Sequence, residues 1–153
     1  MLRLALSDIP GFTLDDRELQ REGVSYTYDT IQELQQEFKK NNRSCRLVLL
    51  LGEDAAASFP KWHRADEIIH QVDLLVGQRP GYTLFLPKDL SSAIAQALKR
   101  WVTPIPMMDI SSTEIRGRLS KRLYCGHLVP AKVLDYIQAH RLYSMEDYGR
   151  KDE

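Results

Sequence analysis

Residues 46–51 read Arg-Leu-Val-Leu-Leu-Leu and stop at Gly52. A short, nearly unbroken apolar run closed by glycine is the pattern of a parallel strand buried on both faces. It constrains the fold because parallel strands are joined only by long crossovers, usually helical. Further runs of the same kind follow. Residues 72–76 read as a second buried strand, and residues 102–108 as a third short one despite two prolines. Helical spacing fills the gaps: residues 55–59 and 65–69, broken by Pro60-Lys61-Trp62, and then residues 91–98. Before the first strand, Ile31, Leu34 and Phe38 share a helix face and end in the polar run Lys39-Lys40-Asn41-Asn42. After the third, residues 130–139 place Val133, Leu134 and Ile137 on one face. Strands alternating with helices predict an α/β fold with a mostly parallel sheet.

The start of the chain is less regular. Residues 1–6 read as the tail of an amphipathic helix with no capping residue before it, as in a fragment of something longer. Ile9-Pro10-Gly11 is a turn, and Phe12-Thr13-Leu14 opens a short strand. The stretch 82–90 is ambiguous, and residues 146–153 form a loose charged tail.

The 153 residues suit one ordinary domain, here residues 1–145. Twenty-one basic residues balance twenty-one acidic ones, so no global field points to nucleic acid or an anionic membrane. No apolar run reaches the length of a membrane span, and the first residues do not form a signal peptide. Cys45 and Cys125 lie far apart without metal-ligand spacing, which suggests reduced thiols in a cytoplasmic protein. His63, His70, His127 and His140 show no metal spacing either, so no protein-held metal is expected.

In a parallel sheet, ligands bind beyond the carboxyl ends of the strands. Three polar clusters directly follow the expected strands: Gly52-Glu53-Asp54, Arg79-Pro80-Gly81 and Ser111-Ser112-Thr113. In the last, Ser111 with Glu114 three residues on is a capping-box pattern ahead of Ile115 and Leu119. A helix start carries unpaired N–H groups and partial positive charge, and Arg116 can add a bidentate grip, so the segment suits a phosphate. A plain helix cap with a solvated Arg116 is the competing reading.

Ile110-Ser111-Ser112-Thr113-Glu114-Ile115-Arg116 resembles the carboxyl-side signature of the nucleotidylyltransferase superfamily. Ser25-Tyr26-Thr27-Tyr28-Asp29-Thr30, Gly52-Glu53-Asp54 with Phe59-Pro60-Lys61-Trp62, and Arg79-Pro80-Gly81-Tyr82 narrow the resemblance to the bacterial nicotinate-nucleotide adenylyltransferases. Val129-Pro130 through Tyr136-Ile137 to His140-Arg141-Leu142-Tyr143 is similar to that family's last helix. The resemblance implies a Rossmann-like fold and transfer of AMP from ATP to nicotinate mononucleotide, with magnesium accompanying ATP. It implies that Ser112, Thr113 and Arg116 act on the reacting phosphates, with Ser111, Gly52, Asp54 and Arg79 also holding ATP. Trp62 would stack on the nicotinate ring, and backbone N–H groups near Thr27, Tyr28 and His63 would receive its carboxylate. Many relatives have tyrosine where this chain has His63.

One family feature has no match. The expected opening strand, glycine-rich turn and His-x-Gly-His motif, whose histidines hold ATP phosphates, do not occur among these residues. The expectation is therefore a nucleotidylyltransferase fold without its first strand–helix unit, with open strand edges, and inactive alone. The small-molecule partners are ATP and nicotinate mononucleotide, with no nucleic acid or membrane, and a homo-oligomer stays open. A non-catalytic nucleotide-binding remnant and a pantetheine-phosphate adenylyltransferase relative are the alternatives.

Overall fold

A computed structural model describes residues 1–78, 90–106 and 110–144. The chain divides into two compact units, one of Asp16–Met107 and one of Met1–Asp15 with Met108–Glu153.

The first unit holds a three-stranded sheet in the order β1 (Val48–Gly52), β2 (Asp73–Gln78), β3 (Val102–Pro104). Both pairings are parallel, with Leu49 opposite Leu74, Leu51 opposite Val76, and Val76 opposite Val102. The parallel α/β expectation is met. The strands start or stop a few residues from their predicted ends, and residues 107 and 108 lie outside the described ones.

Crossovers of helix connect the strands, as parallel pairing demands. From β1 the chain enters α4 (Glu53–Ser58), a 3₁₀ turn over Phe59–Lys61, and α5 (Ala65–Ile68) before β2. From β2 it reaches β3 through α6 (Ser92–Arg100), whose N-cap Ser91 accepts a hydrogen bond from the Ile94 N–H at 3.3 Å. Ahead of β1 stand α2 (Arg17–Gln20) and the longer α3 (Thr27–Lys40).

These helices cover one sheet face. Leu51, Leu74 and Val76 meet Ile31, Ala56, Phe59, Ile68, Ile94 and Leu98 in one core cluster. The period of two decides the rest: Val48 and Leu50 point to the other face and stand 53% and 69% exposed. Burial on both faces, read from the apolar run, therefore fails for β1, while in β2 Leu74 and Val76 are buried and Leu75, on the other face, is half-buried. The strand β1 is an edge of the described sheet, and nothing among the described residues packs over Leu50.

The regular elements among the described residues of the second unit are all helices: α1 (Leu2–Leu6), α7 (Ser112–Ser120) and α8 (Ala131–Ala139). Val133 and Ile137 of α8 are buried with Cys125, and Lys132 bridges to Asp8 just after α1 at 2.6 Å. The turn at Ile9-Pro10-Gly11 is present, with Gly11 at φ +85°. The strand expected at Phe12-Thr13-Leu14 is not: these residues are irregular, and Phe12 is 64% exposed. A strand exists only through a ladder with a neighbour, and the described part of this unit contains no strand to pair with.

Candidate functional site

At the carboxyl end of β1, Gly52 passes without a loop into α4, so Glu53 and Asp54 occupy the first helical turn. Gly52 and Asp54 are exposed, and carboxylates there are favoured by the helix dipole. The Glu53 Oε1 is shielded from solvent with no hydrogen-bond partner among the described residues. Buried polar atoms are rarely left so, which marks this strand end as chemically unfinished. Arg79, expected at the end of β2, lies outside the described residues.

The helix α3 begins beside the 62–64 turn. Its N-cap, Tyr26, is extended and supplies no side-chain cap. Asp29 and Thr30 donate their N–H groups to the Tyr26 carbonyl, while those of Thr27 and Tyr28 meet no acceptor among the described residues. Such orphan donors are inherent to helix starts and suit an anion. The His63 ring packs 4.3 Å from Tyr26 and 6.3 Å from Tyr28, edge-on to the latter at 85°. The His63 N–H also meets no described acceptor. Trp62 ends the 3₁₀ turn, half-buried, with its indole N–H donating to Ser58 Oγ at 3.3 Å. Its ring lies 5.3 Å from buried Phe59.

Of the residues expected to receive nicotinate, Tyr28 and His63 are thus in ring contact, with Thr27 and Trp62 as their chain neighbours. Two residues that the sequence reading passed over complete the cluster. Arg64 lies 4.0 Å above the Tyr28 ring and pairs bidentately with Glu67, at 2.5 and 2.6 Å. Tyr28 donates its hydroxyl to that same carboxylate at 3.3 Å. The hydrogen bond from Arg64 holds the Glu67 carboxyl below the usual carboxylate range. An i,i+3 acid–base pair is a visible sequence signal, but only the structure adds Tyr28 to it.

In the other unit, Ser111 caps α7 and accepts from the Glu114 N–H at 3.1 Å. The cap reading of Ser111 therefore stands. Ser112 and Thr113 are exposed in the first turn, and half-buried Arg116 donates to Thr113 Oγ1 at 3.4 Å. Ser111, Ser112, Thr113 and Arg116 are thereby gathered at one helix start, with the serine hydroxyl at 111 committed to the backbone.

Among the described residues no three His, Cys, Asp or Glu side chains stand together as metal ligands. No helix among them is long and apolar enough to cross a membrane. A cleft of about 730 Å³ opens at the amino ends of β1 and β2, lined in part by Lys39, Arg43, Arg46 and Asp73. It contains none of the candidate residues.

The cytidylyltransferase-like family profile matches residues 1–118. A probable nicotinate-nucleotide adenylyltransferase of Klebsiella pneumoniae (strain 342) is 39% identical, over 94% of this chain and 71% of its own length. One of Oceanobacillus iheyensis is 37% identical, over 98% of this chain and 70% of its own. The nicotinate-nucleotide adenylyltransferase of Salmonella typhimurium is 37% identical over 94% and 72%. Two solved structures share the fold. Plasmodium falciparum nicotinic acid mononucleotide adenylyltransferase complexed with APC aligns at TM-score 0.53 and 17% identity. It is covered to 60%, and this chain to 80%. The same enzyme complexed with NaAD gives TM-score 0.50 and 19% identity, covered to 58%, with 78% of this chain. The chain thus spans less than two thirds of either solved structure.

Proposed function

The chain belongs to the nicotinate-nucleotide adenylyltransferases, within the cytidylyltransferase-like family, and on that premise we propose that its residues serve AMP transfer from ATP to nicotinate mononucleotide. The products are nicotinate adenine dinucleotide and pyrophosphate. The observation that carries this reading is the pairing of orphan N–H groups at Thr27 and Tyr28 with the Trp62–His63 turn. A carboxylate accepts from such donors, whereas the NH₂ of the amide analogue has nothing to accept with. The arrangement therefore favours the acid over the amide. An indole beside those donors suits a flat pyridine ring.

The ATP side draws on the start of α7. Ser112, Thr113 and Arg116 bring hydroxyls, helix-start dipoles and a guanidinium to oxygens that gain charge as pyrophosphate leaves. Ser111 contributes by fixing the turn. Gly52 and Asp54 face the ribose, where a carboxylate accepts from hydroxyls, and Arg79 adds a cation. The described carboxylates and histidines do not fit a metal-holding site, so magnesium belongs to the reading as part of the Mg–ATP substrate. A soluble, cytoplasmic setting agrees with it.

Calorimetric titration of the purified chain tests the acceptor assignment. Nicotinate mononucleotide is expected to bind at least about tenfold more tightly than nicotinamide mononucleotide or phosphopantetheine. Equal affinities, or binding of phosphopantetheine alone, overturn it.

A further inference from the structure

Arg64 adopts left-handed backbone, φ 57° and ψ 38°, as the N-cap of α5. Side chains with a Cβ avoid that region, so an arginine there must be held by its surroundings. Two partners meet on its guanidinium, and they bond to each other. Glu67 grips it through two oxygens, at 2.5 and 2.6 Å. The Tyr28 ring lies beneath it at 4.0 Å, and the Tyr28 hydroxyl returns to Glu67 at 3.3 Å. The loop of contacts closes: Tyr28 to Arg64, Arg64 to Glu67, Glu67 to Tyr28. The Glu67 and Ile68 N–H groups also donate to the Arg64 carbonyl, at 2.9 and 3.1 Å. Each exposed pair alone contributes little. Together they offset what a left-handed arginine costs.

What they fix matters because of its neighbours. Arg64 directly follows Trp62 and His63, and Tyr28 belongs to the first turn of α3, where the Thr27 and Tyr28 N–H groups meet no acceptor among the described residues. The brace therefore ties the two sources of backbone donors, the α3 start and the His63 N–H, into one arrangement. We infer that Glu67 is a positioning residue that, through the left-handed Arg64, sets the Trp62–His63 turn and with it the affinity for the nicotinate carboxylate. The affinity half of this inference rests on the nicotinate reading above; the bracing half does not.

Two measurements separate the halves. Amide hydrogen exchange of the chain reads the brace without any ligand. In Glu67→Gln, amides at 63–65 are expected to exchange about tenfold faster than in the unmutated chain, with the β2 amides unchanged. Unchanged exchange at 63–65 overturns the positioning role. Calorimetry then reads the consequence. Glu67→Gln is expected to weaken nicotinate mononucleotide about five- to tenfold and ATP less than twofold. Arg64→Ala is expected to weaken it more than Arg64→Gly, because glycine accepts positive φ without a brace. In the Arg64→Gly background Glu67→Gln is expected to add less than about twofold. Equal losses for Arg64→Ala and Arg64→Gly, or a full further loss in that background, overturn action through the backbone. Faster exchange in a protein that binds no nicotinate mononucleotide even unmutated supports the brace and overturns the substrate assignment. Should Glu67→Gln fail to fold, Arg64→Gly against Arg64→Ala carries the same test.

Discussion

At the scale of single residues, Ser111 and Arg116 share one helix start and do different work. The Ser111 hydroxyl is spent on the Glu114 N–H, while Arg116 reaches only Thr113 among the described residues. Ser111→Ala is expected to cost about 1 kcal/mol of stability by urea unfolding, the usual loss of an N-cap. Arg116→Ala is expected to leave the unfolding midpoint within about 0.5 kcal/mol and to weaken ATP binding about tenfold or more in a titration. A reversal of the two phenotypes would refute the phosphate role. Ionisable pairs make a second residue-scale case. Hydrogen bonds from Lys132, Arg64 and Arg46 hold the carboxyls of Asp8, Glu67 and Asp73 below their usual range. A depressed carboxyl stabilises the fold above its unfolded pKa, near about 4, and loses that contribution as pH falls through its folded pKa. The melting temperature is therefore expected to be insensitive to these groups from about pH 7 to 5 and to drop below about pH 4. Asp73→Asn should shrink the acid drop; an unchanged or steeper drop would show that this pair does not contribute. Because Asp8 and Glu67 are exposed and Asp73 is only half-buried, the effect is modest.

At the scale of elements, β1 exposes the difference between a strand's composition and its setting. Leu50 and Leu51 are adjacent and chemically identical, yet one is 69% and the other 3% exposed. Leu51→Ala is expected to cost about 2–5 kcal/mol, since it empties space between Val76 and the α4 side of the core. Leu50→Lys is expected to change stability by less than about 1 kcal/mol and to raise solubility, measured by the concentration at which the chain precipitates. Equal destabilisation by both changes would mean that β1 is covered on both faces in solution. The same element shows why an apolar run reads as buried on both sides. The pattern of a fully buried strand and of a strand with one open face differ only in what lies opposite, which is not a local property. The helices were more legible. Ser91 and Ser111 cap where a hydroxyl precedes a helical period, because the donor is three residues away in sequence. Phe12–Leu14 misled for the opposite reason, since strand propensity without a partner edge forms no ladder.

At the scale of the whole molecule, family membership and activity are separate questions. The histidine motif that the family resemblance leads one to expect is not among these 153 residues. The residues present are expected to bind nicotinate mononucleotide, checked by calorimetric titration; no detectable binding would overturn the acceptor reading. By itself, the sequence determined the alternation of strands and helices, the Ser111 cap and the ordered motifs of the family. Those follow from spacing over a few residues, which the chain carries locally. The tertiary structure decided which face of β1 is covered, and that Tyr26 and His63 lie in ring contact. It also decided that Arg64 is left-handed, pinned between Tyr28 and Glu67. Each of these depends on residues brought together from distant parts of the chain, and no local pattern records which of them will meet.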